Sequence, residues 1–147
     1  MNEELQELLT AQFAQWPQAV AEPVPDAEIC QAEASLGVML PDDYRDFIRR
    51  YGGAVVRSAS VLGLRRCEFC DDEPSTFPEQ TTHFRQELPN DYSEMVVISV
   101  DGAGNPIGFL NGKPTIFVFD FNFGGRHDLA SSFSEFVRLA LAGELDV

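Results

Sequence analysis

Three groups of residues have types and spacings that could do chemistry. Cys67 and Cys70 stand three positions apart, which lets two thiolates reach one tetrahedral zinc ion. A closed structural site needs four ligands, and the other candidates, Cys30, His83 and His127, bring no second paired spacing. Two reduced cysteines are therefore expected, with no metal and no other cofactor. Asp101-Gly102-Ala103-Gly104-Asn105 offers side-chain oxygens at its first and fifth positions. A calcium loop of the helix-loop-helix type runs about twelve residues to a bidentate glutamate. None follows here, so a tight turn is expected.

His127-Asp128, with Asp101 or Asp120 nearby, is the one set suited to acid–base work. A general base needs an orienting partner and a substrate pocket, and the sequence displays neither. No Ser or Cys occupies a nucleophile elbow, and Gly102 and Gly104 lead toward a strand, where a phosphate cradle would lead to a helix. His127 is expected to cap the last helix region. The expectation is a non-enzyme without catalytic residues. A small hydrolase using His127 and Asp128 is the contrasting reading, to be tested by loss of activity in a folded His127→Ala variant.

The acidic run Glu68, Asp71, Asp72 and Glu73 points to a different kind of function. The chain carries 24 acids against 10 bases, a net charge of −14. Residues 1–44 hold nine acids and no base, while the other fifteen acids and all ten bases lie beyond them, a net of −5. Such a field repels phosphate backbones and anionic lipid headgroups, which disfavours nucleic-acid and membrane-surface partners. It attracts a basic protein and speeds the encounter. Like charges crowded into one run also repel each other until a cationic partner relieves them. The run is therefore the expected partner-binding segment, set against the plainer role of a solvated loop.

The elements that would carry these groups follow from local rules. At 147 residues with 44% apolar residues and 12 phenylalanines, one domain over residues 1–147 is expected. Leu5, Leu8, Leu9 and Phe13 recur at helical spacing over residues 3–15, and Trp16-Pro17 ends that helix. Residues 17–25, with three prolines, read as a stiff extended connector, so that residues 1–25 form an N-terminal helix and linker. Asp26 is expected to cap a second helix that buries Ile29, Ala32 and Leu36 and stops at Gly37. Pro41 suits the first position of a third helix, in which Tyr44, Phe47, Ile48 and Tyr51 share a face and Gly52-Gly53 ends the run.

Residues 54–57 and 60–65 read as short strands. In the 66–94 stretch a helix with Phe77, Phe84 and Leu88 on one side is expected. Met95 to Val100 is nearly all apolar and β-branched, which predicts a central strand covered on both faces. Ile107 to Leu110 and Thr115 to Phe121 complete a meander, joined by the hairpin signal Asn111-Gly112, with Phe117, Phe119 and Phe121 on one face and Ile116 and Val118 on the other. The capping box Ser132-x-x-Glu135 opens a last helix that buries Phe133, Phe136, Val137, Ala140 and Leu141. Helices, then a meander, then one helix, without βαβ alternation, predict an α+β fold with an antiparallel, at most mixed, central sheet. No basic and apolar leader and no apolar run of about 20 residues is present, and the cysteines are few and odd in number, so a cytoplasmic location is expected.

These landmarks also occur in a recognisable order. Ile29-x3-Glu33-x2-Leu36-Gly37-x2-Leu40-Pro41-x2-Tyr44-x2-Phe47-x3-Tyr51-Gly52-Gly53 resembles the N-terminal signature of the SUKH superfamily in its Smi/Knr branch. Val61-x-Gly63-Leu64, Ile98-x2-Asp101-Gly102-x-Gly104-Asn105 and Leu129-Ala130-x-Ser132-Phe133-x-Glu135-Phe136 are similar to its later parts, so the resemblance spans about residues 26 to 142. Tyr51 departs from the family, which often has Asn there, and residues 66–94 match nothing in it. The resemblance implies an α+β fold with helices backing a sheet. It also implies a non-enzymatic immunity protein that binds a cognate toxin, often a nuclease, of a bacterial polymorphic or contact-dependent toxin system. A regulatory or scaffold module binding another protein is the alternative, since fungal relatives act in cell-wall assembly. The matched residues are caps, turns and core, and fold alone does not specify function.

Overall fold

A computed structural model describes residues 1–70 and 76–145. Helix α1 (Glu3–Gln15) opens with Asn2, whose side-chain oxygen accepts the Leu5 N–H at 2.9 Å, and it buries Leu5, Leu9 and Phe13. Helices α2 (Asp26–Leu36) and α3 (Asp42–Tyr51) follow, each entered from a proline. Asp26 was expected at the cap of α2, but Pro25 holds that place and Asp26 is the first helical residue. Pro41 likewise precedes α3 instead of opening it, because its extended ψ of 150° is not helical. In both cases the prolyl carbonyl accepts the first helical hydrogen bond, Ile29 to Pro25 at 3.3 Å and Arg45 to Pro41 at 3.0 Å. The connector before α2 is not extended throughout, since Pro17–Ala19 makes one 3-10 turn.

Strands β1 (Ala54–Val56) and β2 (Ala59–Val61) form a two-stranded antiparallel hairpin, shorter than expected because the chain after Val61 leaves the ladder. Helix α4 (Phe77–Arg85) lies where a helix was expected and buries Phe77 and Phe84, with Leu88 just beyond. Four further strands, β3 (Met95–Val100), β4 (Pro106–Leu110), β5 (Ile116–Asp120) and β6 (Gly125–Ala130), form an antiparallel meander in the order β3-β4-β5-β6. Helix α5 (Phe133–Ala142) closes the described chain, with Ser132 Oγ accepting the Glu135 N–H at 3.1 Å. The Glu135 carboxylate turns to Arg138 at 2.8 Å, so only the forward half of the capping box forms. Leu141, expected to be buried with the face of α5, is only half-buried. The architecture is α+β, as the element pattern predicts.

The sheet separates two apolar layers. Val96, Ile98, Ile107, Phe109, Ile116 and Val118 join the main core with α1, α3 and α5. Met95, Val97, Phe117 and Phe119 face the other way, under Phe84 and Leu88. This is the expected split of the β5 side chains. Strand β3 is covered on both faces as predicted, yet it is an edge strand, not a central one. Its outer backbone is satisfied by neighbours from elsewhere in the chain. The Ile98 carbonyl accepts the Leu62 N–H at 2.8 Å, and the buried Thr81 hydroxyl accepts the Val97 N–H at 2.9 Å. An edge closed in this way no longer offers a template for stray pairing.

Two more expectations change. Asn111-Gly112 turns the chain with Gly112 at φ 80° and Lys113 N–H on the Leu110 carbonyl at 2.9 Å, but β5 starts only at Ile116. Pro114 lacks the N–H that a two-residue hairpin would need. The segment after Phe121 forms β6, so His127 sits in a strand paired with Val118 and caps no helix.

Candidate functional site

The outward stripe of α1 is Glu4, Leu8, Ala11 and Gln15, spaced so that they stack on one side of the helix. At its C-terminal end Trp16 donates its backbone N–H to the Gln12 carbonyl at 2.9 Å and leaves its indole 52% exposed. Gln12 Nε2 reaches the Val55 carbonyl at 3.4 Å and so ties the helix to the β1–β2 hairpin. The 3-10 turn Glu68–Cys70 then brings Phe69, 54% exposed, to the same place. Between these elements runs an open groove of about 610 Å³, lined by Ala11, Gln15, Trp16, Val55, Arg57 and Phe69 among others. Arg57, at φ 57° in the hairpin turn, donates from Nη1 to the Leu141 carbonyl at 3.1 Å, a favourable place for a cation at the end of α5.

Glu68 is exposed and lies next to Phe69, which puts one predicted acid on the rim of this groove. Asp71, Asp72 and Glu73 lie outside the described residues, as does the side chain of Cys70.

The charge map is narrower than the sequence suggests. Residues 1–44 contain no base, but arginines from later in the chain fold back onto the acids of α2. Arg65 pairs with Glu28, Arg45 with Glu33, and Arg49 with Asp26 at 3.6 Å. The Arg65 hydrogen bond holds the Glu28 carboxyl below its usual range. Contact with the Cys30 sulfur and Glu33 raises Arg45. Among the described residues no ion pair engages Glu3, Glu7 or Glu68.

The acid–base candidates do not converge. His127 and Asp128 are neighbours in β6 and project to opposite faces. Asp128 pairs with Arg126 at 2.8 Å. Asp101 Oδ1 accepts the Ala103 and Asn105 N–H groups at 2.9 and 2.8 Å, and Asp120 Oδ1 accepts from Asn122 at 2.8 Å. Both carboxylates hold turns together. His83 sits on α4, 3.8 Å from Glu87, and Cys30 lies on α2 beside Arg45. Among the described residues no group of three or more histidines, cysteines or carboxylates is placed to hold a metal ion. None of their helices is long and apolar enough to cross a membrane.

A surface with two exposed aromatics, a groove and unneutralised acids is equipped for protein binding, because aromatic anchors in partly enclosed sites dominate interface energetics. The model of the SMI1 / KNR4 family (SUKH-1) matches residues 23–139. The chain belongs to that family. A search of curated proteins finds no match to this chain. SUKH-1 membership is consistent with toxin-associated immunity proteins and with Smi/Knr regulators, which act in general by binding proteins. The matched span begins after α1 and Trp16, so much of the groove wall lies outside the shared signature.

Sequence reasoning missed Trp16 and Phe69 as surface groups. One signal was available for α1: Leu5, Leu9 and Phe13 make a complete buried stripe, which leaves Leu8 on the outside.

Proposed function

We propose that this SUKH-1 chain is a non-enzymatic, cytoplasmic immunity protein that binds and neutralises a cognate toxin, a nuclease-type domain whose basic surface complements the net charge of −14. The observation that carries this reading is the groove between Trp16 and Phe69, with the exposed Glu68 next to Phe69 in the chain. The acidic run Glu68, Asp71, Asp72 and Glu73 steers the cationic toxin surface, and the two aromatics anchor it. Desolvated aromatics supply affinity while surrounding charges set the encounter rate.

Co-expression with the product of the adjacent upstream reading frame tests this reading. Rescue from toxicity and a stoichiometric complex are expected. Neutralising Glu68, Asp71, Asp72 and Glu73 together, to Gln and Asn, should slow association and flatten its salt dependence. Failure of the wild-type chain to rescue or to bind would shift the assignment to a regulatory module with a different protein partner.

A further inference from the structure

The register of β3 against β4 breaks between Val97 and Ser99. Regular alternation would send Ser99 to the side of Val97, under Phe84 and Leu88, and would turn Val100 toward the main core. The bulge reverses both. Ser99 stands opposite Ile107, a main-core residue, and Val100 packs on the second layer. Cross-strand partners share a face, so the serine hydroxyl is carried to the side of the sheet that α5 covers.

A cavity of about 290 Å³ lies there, bounded by Ser99 of β3, Asp101 just beyond it, Ile107 of β4, Phe136 and Ala140 of α5, and Ser58 of the β1–β2 turn. Ser99 is 1% exposed, and among the described residues its hydroxyl has no hydrogen-bond partner. The oxygen borders the cavity instead of being sealed in packing, as Arg85 Nη2 is. A buried hydroxyl without a partner costs free energy, which a bound group able to donate and accept restores. Mostly apolar walls with a convergent polar group are the make-up of a small-molecule site.

The walls also define the ligand. Ile107, Phe136 and Ala140 are buried and match a hydrocarbon body. A cavity of about 150 Å³ holds benzene, so this one has room for roughly ten non-hydrogen atoms. The Asp101 carboxylate is engaged by the Ala103 and Asn105 N–H groups, but its charge beside the cavity opposes an anionic head. We propose that the cavity binds a neutral aliphatic alcohol of that size, its chain against Ile107, Phe136 and Ala140 and its hydroxyl exchanging hydrogen bonds with Ser99 Oγ. None of these walls lines the groove between Trp16 and Phe69, so the site stands or falls apart from the toxin reading.

NMR titration of the full chain with octanol, followed at the Ile107 and Ala140 methyls and the Trp16 indole, tests the site. The expected result is saturable binding of one octanol that shifts both methyls and leaves the indole unmoved. Octanoate, of similar length with an anionic head, should bind at least about tenfold more weakly. Ser99→Ala should keep the urea midpoint of the ligand-free chain, since the hydroxyl it removes holds nothing in the fold. The same variant should weaken octanol binding about fivefold to tenfold, the worth of one hydrogen bond. The proposal is overturned by no saturable shift at the two methyls, by shifts at the indole alone, or by octanoate binding as tightly as octanol. An unaltered octanol affinity or a clearly lowered urea midpoint in Ser99→Ala overturns it as well.

Discussion

The carbonyl of Gly52 accepts the Leu64 N–H at 2.8 Å, and it would lie 1.9 Å from a Cβ built on Gly63. The end of α3 and the chain leaving β2 thus cross backbone to backbone. Arg65 N–H shares the same acceptor at 3.0 Å, and Ala21 N–H reaches the Gly53 carbonyl at 2.9 Å. Three segments far apart in sequence meet at one glycine-lined point. The pair Gly52-Gly53 does stop α3, with Gly52 at φ 74°, but the stop is half of its work.

Gly63→Ala should therefore destabilise the chain strongly. The new methyl would meet rigid backbone, and overpacking of this kind costs about 1–3 kcal/mol or more. Gly37→Ala provides the contrast. Nothing lies within 4 Å of its Cβ position, so only the left-handed φ of 68° is strained, at about 1–2 kcal/mol. Urea denaturation of the two variants should rank them in that order, and equal losses would contradict the crossing.

Tyr44→Phe probes the other contact to the same segment. The Tyr44 ring is fully buried among Phe77, Phe109 and Phe133, and its hydroxyl donates to the Leu62 carbonyl. Burial also pushes its phenol pKa well up, so it stays a donor. The variant keeps the ring contacts and leaves a buried acceptor unmatched, a loss of about 1–3 kcal/mol. Thermal melting at neutral pH measures it, and an unchanged midpoint would refute the assignment.

Asp46 predicts the acid side of the stability profile. Burial raises its pKa, but the Arg50 hydrogen bond at 3.0 Å, the Arg50 charge and the Met1 ammonium 3.4 Å away together outweigh burial and leave the carboxyl lowered. A lowered folded value means that the unfolded state binds the proton first. The contribution is complete above the ordinary carboxylate range, about pH 4, and is lost as the pH falls through the folded value. Asp46→Asn should cost about 1–2 kcal/mol at pH 7, toward the low end because Arg49 and Arg50 are half-exposed. Denaturation at stepped pH should show the difference from wild type shrinking below about pH 4. A constant difference would speak against the pairing.

Trp16→Ala and Phe69→Ala test the anchors of the proposed interface. Both side chains are half-exposed, so stability should change little, within about 0.5 kcal/mol. Affinity for the protein partner should fall at least about tenfold for each, the scale of an interface anchor. Titration calorimetry reads both effects, and unaltered affinity in folded variants would place the interface elsewhere.

What the sequence determined by itself is what neighbouring residues decide. Helical spacing placed α1, α3 and α5, the alternation along residues 116–121 placed two cores on opposite sides of β5, and the ordered landmarks from Ile29 to Phe136 fixed the family. Those signals are local, because caps, periods and turns act over a few residues. Only the tertiary structure decided that β3 is an edge sealed by Leu62 and Thr81, that Arg45, Arg49 and Arg65 neutralise the acids of α2, and that Trp16 and Phe69 flank one groove. Each of these depends on groups brought together across many residues of chain, and no local propensity encodes which distant partner will arrive.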